Sequence, residues 1–228
     1  MTDMIALVPA AGSGSRFGAP SPKQYLQLNG HPLMWHTLAT LAAVPAISRV
    51  VVVVSPHDEW FDDFEWDLPK LEVLRVGGAC RAESVANGLA ALDCAADDWV
   101  LVHDAARCCL SVAAVERLIA ALADHPVGGL LALPVPDTVK RADAEGHVAA
   151  TVPRNGLWLA QTPQMFRAGL LARALTTGAA ADITDEASAI EKLGLRPLLV
   201  EGDAQNFKVT YPRDLALAKA ILAARGAF

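Results

Sequence analysis

The sequence predicts an α/β fold with a doubly wound, mostly parallel sheet into which a β-hairpin arm is inserted. Three observations support this prediction. Apolar runs of strand length alternate with amphipathic helical patterns, as in βαβ units. The run 50–54 consists of consecutive valines and is therefore apolar on both faces, as a central parallel strand covered by helices on each side would be. The segment 136–153 breaks the alternation.

Apolar runs predict the strands, at 5–9, 50–55, 71–76, 99–103 and 130–134. Amphipathic patterns predict the helices, at 33–43, 81–92, 111–123, 167–175, 185–193 and 212–224. The last of these helices begins with Pro212, which suits a first helical turn because the N–H that proline lacks has no partner there.

The segment 136–153 has the pattern of a β-hairpin, because two alternating stretches flank the polar turn 143–146, which contains a glycine. A hairpin that cannot join the main sheet would be either a flap over a ligand site or an arm around a second subunit. A chain of 228 residues suits one large domain. Residues 1–228 are therefore predicted to form a single domain with 136–153 as its arm.

The composition limits the possible functions. The hydrophobic content of 53% with 19% charged residues is that of a globular protein, and no apolar run approaches the length of a bilayer span. No basic segment precedes an apolar stretch at the N-terminus, so we expect no signal peptide, no membrane partner and a cytoplasmic location. A net charge of −6 with scattered basic residues argues against a nucleic-acid partner.

The four cysteines form no Cys-x-x-Cys pair and lie at no zinc-finger spacing. We expect reduced thiols that bind no metal. For the vicinal pair Cys108 and Cys109, partly buried small hydrophobic side chains are favoured over a redox-sensitive pair.

The first predicted strand leads into a glycine-rich loop, 10–18, which is followed by Lys23. Backbone N–H groups in such a loop can approach an anion closely because glycine has no Cβ. Arg16 and Lys23 would offset the charge of a triphosphate. The loop lacks the third glycine of the dinucleotide fingerprint at its required position, and Lys23 is not followed by the Ser or Thr of a P-loop. An ordinary Gly/Ser turn is the alternative.

Polar and small residues follow several predicted strands. Open α/β sheets bind ligands beyond the carboxyl ends of their strands, so four segments are expected to converge on one rim, at 12–23, 77–84, 103–107 and 137–140.

Asp104 follows a buried strand and is interpreted as a ligand of Mg²⁺ or of a substrate, or alternatively as a loop salt bridge to Arg107. Its neighbour His103 is expected to be packed and hydrogen-bonded rather than catalytic. The glycines at 77–78 would place backbone donors and acceptors beside a base or ribose, unless they form only a turn that enters a helix.

The whole set of motifs resembles a known family. The loop 10–18 with Lys23 resembles the signature of the sugar-phosphate nucleotidyltransferases. The later motifs resemble the 2-C-methyl-D-erythritol 4-phosphate cytidylyltransferase family of the non-mevalonate isoprenoid pathway, and the likeness spans nearly the whole chain. These motifs are Gly77-Gly78-x-x-Arg81-x-x-Ser84, His103-Asp104-Ala105-Ala106-Arg107, Asp137-Thr138-Val139-Lys140, Gln161-Thr162-Pro163-Gln164, Thr184-Asp185-Glu186-Ala187 and Asn206-x-Lys208-Val209-Thr210.

The resemblance implies a Rossmann-like nucleotidyltransferase fold and an enzyme that transfers a cytidylyl group from CTP to the acceptor phosphate, with release of pyrophosphate. Arg16 and Lys23 would stabilise the α-phosphate, and Arg154 and Lys208 would position the acceptor. The other implied positions near the acceptor are Asp104, Arg107, Thr138 and Thr184, and those around the nucleotide are Ala10, Ala11, Gly12, Gly14, Gly78, Arg81 and Ser84.

The resemblance also implies a Mg²⁺ cofactor, held by Asp104 or otherwise by the phosphates of CTP, and a homodimer joined by the arm, in which the partner subunit completes the acceptor site. One departure is visible, since Cys108 stands where the family usually has proline. A cytidylyltransferase acting on ribitol 5-phosphate remains an alternative, as does a noncatalytic nucleotide-binding protein, although the latter would be expected to lack one of Arg16, Lys23 and Asp104. A glycosyltransferase would be expected to show an Asp-x-Asp motif after a central strand, and His103-Asp104-Ala105-Ala106 lacks it.

Overall fold

A computed structural model describes residues 2–12, 21–177 and 183–226. The strands are β1 (Met4–Pro9), β2 (Gln27–Leu28), β3 (His31–Pro32), β4 (Arg49–Val53), β5 (Leu71–Leu74), β6 (Trp99–Val102), β7 (Gly129–Pro134), β8 (Val139–Ala142), β9 (Val148–Val152), β10 (Trp158–Arg167) and β11 (Leu198–Glu201). The α-helices are α1 (Leu33–Ala42), α2 (Arg81–Ala91), α3 (Val112–Leu122), α4 (Ala168–Thr176), α5 (Glu186–Glu191) and α6 (Pro212–Ala224).

The main sheet has the strand order β11-β7-β10-β6-β1-β4-β5. Its strands pair in parallel except for β10, which runs antiparallel to both β6 and β7. The predicted α/β class with a mostly parallel sheet is confirmed. Strands β10 and β11 were not predicted from the sequence.

The core forms two layers, one on each face of the sheet. In β4, Val50 and Val52 belong to the core layer that contains side chains of α1 and α3, whereas Val51 and Val53 belong to the layer that contains side chains of α2 and α4. All four valines are fully buried. The prediction of a central strand covered on both faces is therefore confirmed, and the carboxyl ends of the parallel strands all open on the same edge.

The segment 136–153 contains the predicted hairpin. Strands β8 and β9 pair antiparallel in a separate two-stranded sheet. In the turn, Gly146 has a φ of 87°, which glycine adopts without strain, and the Asp143 carboxylate accepts the backbone N–H groups of Glu145 and His147. Most side chains of the hairpin are exposed, so it projects from the main sheet.

The cysteines are free thiols, as predicted. Cys108 and Cys109 are buried beside Ala218 and Leu222 of α6, which confirms that they serve as small hydrophobic side chains. Within the described ranges, none of the helices is both long enough and apolar enough to cross a bilayer.

Candidate active site

A cavity of about 340 Å³ opens at the carboxyl ends of β1 and β6 and beside the loop that follows β5, within the roughly 300–1,000 Å³ of typical small-molecule sites. The predicted residues that line it are Ala10, Ala11, Gly12, Lys23, Gly78, Arg81, Ser84, Asp104 and Lys208. Three of the four predicted strand ends therefore meet at this cavity. Segment 137–140 does not line this cavity, because it leads from the carboxyl end of β7 into the exposed strand β8.

Asp104 lies at the end of β6 and is surrounded by cations. Its Oδ1 accepts a 2.7 Å hydrogen bond from Nε of Arg81, and its Oδ2 lies 2.8 Å from Nζ of Lys208 and 3.5 Å from Nε of Arg107. Burial alone would raise the pKa of this carboxyl, but the charges of Arg81, Lys208 and Arg107 lower the pKa far below its usual range. Asp104 is therefore a fixed negative charge that holds three cations together.

This geometry does not fit Asp104 as a metal ligand. Both of its oxygens face cationic groups, which would repel a divalent ion. Across the described ranges, no three His, Cys, Asp or Glu side chains cluster in a way that could hold a metal. The salt bridge to Arg107, the alternative considered from the sequence, is present.

Lys23 reaches the cavity from a short 3₁₀ turn, Lys23–Tyr25. Its Nζ donates to the backbone oxygen of Val209 at 2.8 Å, which directly follows Lys208. The neighbouring Gln24 is buried, and its amide donates to the backbone oxygens of Ala10 at 2.7 Å and Gly12 at 3.0 Å. Gln24 thus anchors the turn to the residues that leave β1, a function that was not predicted from the sequence.

The loop before α2 is held by its own side chains. The Gly78 N–H donates to Oγ of Ser84 at 3.0 Å, and this hydroxyl donates to the Cys80 oxygen at 2.9 Å. A Cβ on Gly77 would lie 2.2 Å from the Cβ of Ala11 and 2.8 Å from the Val54 oxygen, so only glycine fits there. The hydroxyl of Ser84 therefore shapes the loop that lines the cavity.

His103 is 0% exposed. Its ring contacts Oγ1 of Thr162 at 2.9 Å and the Arg107 oxygen at 3.3 Å, and burial lowers its pKa to about 4. The prediction of a packed, hydrogen-bonded histidine is confirmed. Thr162 also accepts the Asp104 N–H at 3.0 Å, and Asn206 donates to the Thr162 oxygen at 2.8 Å, so one buried network supports the cluster around Asp104.

Several predicted site residues lie elsewhere. Arg16 and Gly14 fall outside the described residues. Thr138 and Arg154 are exposed near the two ends of the hairpin, and Thr184 is exposed just before α5; none of these three lines the cavity of the single described chain.

Arg107 lies behind Asp104, where its Nη1 donates to the Asn206 oxygen at 2.7 Å. On the far side of the cluster, Glu186 binds the guanidinium of Arg81 through two hydrogen bonds. Glu186 lies in a motif quoted from the sequence, but no function was predicted for it.

Comparison with known proteins gives consistent matches. A family model described as 2-C-methyl-D-erythritol 4-phosphate cytidylyltransferase matches residues 4–224. A protein of that name from Chromobacterium violaceum is 86% identical over 222 residues, which cover 97% of this chain and 99% of that protein. The crystal structure of a 4-diphosphocytidyl-2C-methyl-D-erythritol synthase matches with a TM-score of 0.87 and 46% identity, covering 97% of this chain and 99% of the other. That of the Francisella tularensis 2-C-methyl-D-erythritol 4-phosphate cytidylyltransferase has a TM-score of 0.84 at 35% identity, covering 97% and 100%.

Proposed function

We propose that the described cavity is the reaction centre of a cytidylyl transfer, because the chain belongs to the 2-C-methyl-D-erythritol 4-phosphate cytidylyltransferase family. The enzyme transfers a cytidylyl group from CTP to 2-C-methyl-D-erythritol 4-phosphate in isoprenoid precursor biosynthesis, giving the CDP-alcohol and pyrophosphate. The observation that supports the proposed location best is the convergence of Arg81, Lys208 and Arg107 on one buried carboxylate, with Lys23 on the same cavity.

In the proposed reaction, an oxygen of the acceptor phosphate attacks the α-phosphorus of CTP, a new P–O bond forms, and the bond to the pyrophosphate oxygen breaks. The attacking oxygen is already ionised at neutral pH, so the step requires no general base. The enzyme must bring two polyanions together and stabilise the charge that builds up on the equatorial and leaving oxygens. Fixed cations and backbone N–H groups supply this stabilisation.

We assign the nucleotide to the side of the cavity formed by the residues after β1 and the loop before α2. Backbone groups of Ala10, Ala11, Gly12 and Gly78 would contact CTP, together with Gly14 of the loop outside the described residues. Ser84 supports this side by holding the loop.

Three cationic side chains would act on the phosphates of CTP. Lys23 and Arg16 would stabilise the α-phosphate in the transition state, and Arg81 would bind the nucleotide. Lys23 and Arg81 both line the cavity.

We assign the acceptor to the opposite side, where Lys208 and Arg107 provide positive charge and Asp104 holds them in place. In the described cluster, Arg81, Arg107 and Lys208 carry three positive charges against the negative charges of Asp104 and Glu186. The excess positive charge favours a phosphate. Thr184 would contribute from the turn before α5.

Mg²⁺ is the expected cofactor of this reaction, and when bound it would neutralise phosphate charge. The side chains around Asp104 do not fit a protein-held ion, as described above. We therefore assign the ion to the phosphates of CTP.

We further propose that residues 1–228 form one domain, that segment 136–153 joins two copies of the chain, and that Arg154 and Thr138 act in the partner's cavity. Both are exposed, and the apolar side chains of Leu157, Trp158 and Leu159, which follow Arg154 closely, are exposed as well, a pattern typical of a contact surface. At an acceptor concentration below the wild-type KM, mixing the impaired Lys23→Ala and Arg154→Ala subunits would then raise the activity above that of either variant alone, because one site of each mixed dimer carries neither change. Absence of any restored activity would refute the shared site.

The substrate assignment is tested by pyrophosphate release with each nucleoside triphosphate in turn, against methylerythritol phosphate and ribitol 5-phosphate. Product with CTP and methylerythritol phosphate alone supports the proposal. A preference for ribitol 5-phosphate would favour the alternative acceptor, and no turnover with any pair would favour a noncatalytic nucleotide-binding protein. The small charged substrates, CTP and the acceptor phosphate, support the proposal of a cytoplasmic location.

A further inference from the structure

Glu186 is the first residue of α5 and is 1% exposed. Its Oε1 accepts Nη1 of Arg81 at 2.6 Å, and its Oε2 accepts Nη2 of Arg81 at 3.0 Å. Arg81 lines the cavity, whereas Glu186 does not. A buried carboxylate therefore binds a cavity cation from behind in the two-point geometry that fixes a guanidinium most firmly.

We infer that Glu186 is a positioning residue of the nucleotide site, which orients the guanidinium of Arg81 toward CTP. Arg81 has five N–H donors. The hydrogen bonds to Asp104 and Glu186 use one donor on Nε, one on Nη1 and one on Nη2, so one N–H on each Nη remains to bind substrate. The plane of the group is fixed by two carboxylates. This inference rests on the proposed assignment of Arg81 to CTP binding.

The position of Glu186 is itself determined by the start of α5. The side chain of Asp185 caps the helix by accepting the Ser188 N–H at 2.8 Å. Gln164, on β10, accepts the Ala187 N–H at 2.8 Å and donates to the Asp185 carboxylate at 2.9 Å. Because β10 pairs directly with β6, which leads into Asp104, the two carboxylates that hold Arg81 belong to one rigid framework.

Positioning and simple charge balance make opposite predictions for Glu186→Gln. This change removes one negative charge from the cluster, so if Glu186 only balanced charge, phosphates would bind more tightly. If Glu186 orients Arg81, CTP would bind more weakly, because an amide oxygen can accept from only one side of the guanidinium and its NH₂ group faces the other. The sign of the change in CTP affinity separates the two functions.

The test compares steady-state constants for wild type, Glu186→Gln, Glu186→Asp and Arg81→Lys, together with CTP affinity measured by calorimetry without acceptor. We expect Glu186→Gln to raise the KM and dissociation constant for CTP about tenfold, since a misplaced binding group can cost up to roughly 100-fold, with a smaller effect on the acceptor KM. Glu186→Asp should recover part of the loss. Glu72→Gln is the matched control, because Glu72 also binds an arginine through two hydrogen bonds, from Nε and Nη2 of Arg49, but does so at an exposed site. It should leave all constants unchanged.

The outcomes distinguish a failure of the positioning function of Glu186 from a failure of the assignment of Arg81 to CTP binding. If Arg81→Lys weakens CTP binding while Glu186→Gln leaves it unchanged or strengthens it, the positioning function is refuted and the proposed site stands. If Arg81→Lys has no effect on CTP, the assignment of Arg81 fails and the inference fails with it. Thermal unfolding checks that each variant folds. If Glu186→Gln does not fold, Glu186→Asp is used instead, because it keeps the negative charge but has a shorter side chain. A wild-type CTP affinity in Glu186→Asp would then refute the positioning function.

Discussion

The buried histidine beside the active site predicts a specific loss of stability at acidic pH. Burial lowers the pKa of His103 from 6.5 to about 4, so between these values the unfolded chain binds a proton that the folded chain does not. The contribution of neutral His103 to the stability of the fold is therefore fully present above pH 6.5 and is lost as the pH falls toward 4. With about 1.4 kcal/mol per pKa unit, the difference corresponds to about 3 kcal/mol, a large share of the net stability of a typical domain.

The assay is urea unfolding at intervals between pH 7.5 and 4, comparing wild type with His103→Gln, which keeps hydrogen-bonding groups but does not titrate. The free energy of unfolding of wild type minus that of the variant should decrease by about 3 kcal/mol from pH 7.5 to pH 4. Asp104 contributes in a lower window, because its folded pKa is depressed and its stabilisation is lost only below its ordinary value of 3.8. A free-energy difference between the two proteins that does not change with pH would refute the reasoning.

Three further predictions follow from the site. Lys23→Ala should lower kcat by about 100-fold or more, the scale of removing one fixed charge-stabilising donor, as should Arg16→Ala; near-normal kcat in both would contradict their assignment. Lys208→Ala and Arg154→Ala should chiefly raise the acceptor KM, because they bind a phosphate in ground and transition states alike, and an acceptor KM equal to that of wild type in both would remove them from that site. Gly77→Ala should cost about 1–3 kcal/mol of stability in chemical unfolding, since the new Cβ would overlap neighbouring atoms at 2.2 and 2.8 Å; unchanged stability would show that the loop yields freely.

Much of the fold followed from local patterns. The valines of β4 form a run that is apolar on both faces, which is typical of a central parallel strand covered by helices on each side. The helix limits were predicted to within two residues, because side-chain caps such as Ser111 before α3, which accepts the Ala114 N–H, mark where a helix begins. The exposed hairpin was recognised from its alternation and its glycine turn.

Strand β10 was missed for a physical reason. Its middle carries Gln161, Thr162 and Gln164, all buried, and buried polar side chains are typical of loops when read locally. Their partners lie far along the chain, in Asp203 and Asn206 among others. Only after folding are these groups hydrogen-bonded, which removes the cost of burying them.

For the site too, the sequence predicted part of the chemistry and the tertiary structure decided the rest. The glycine-rich loop with Arg16 and Lys23 indicated polyphosphate chemistry at a strand end, and the function of Lys208 followed only from the family resemblance. The structure places Lys23, Lys208 and Asp104 on one cavity. It also shows that Asp104 faces three cations and does not suit a metal ion.

The sequence by itself determined the class of fold, the glycine-rich loop and the kinds of charge available, because these depend on local periodicity and residue type. Only the tertiary structure decided which charges meet. Glu186 binds Arg81 across 105 residues of chain, and no local pattern reports such a contact, because its energy depends on burial and on geometry that exists only once the sheet has formed.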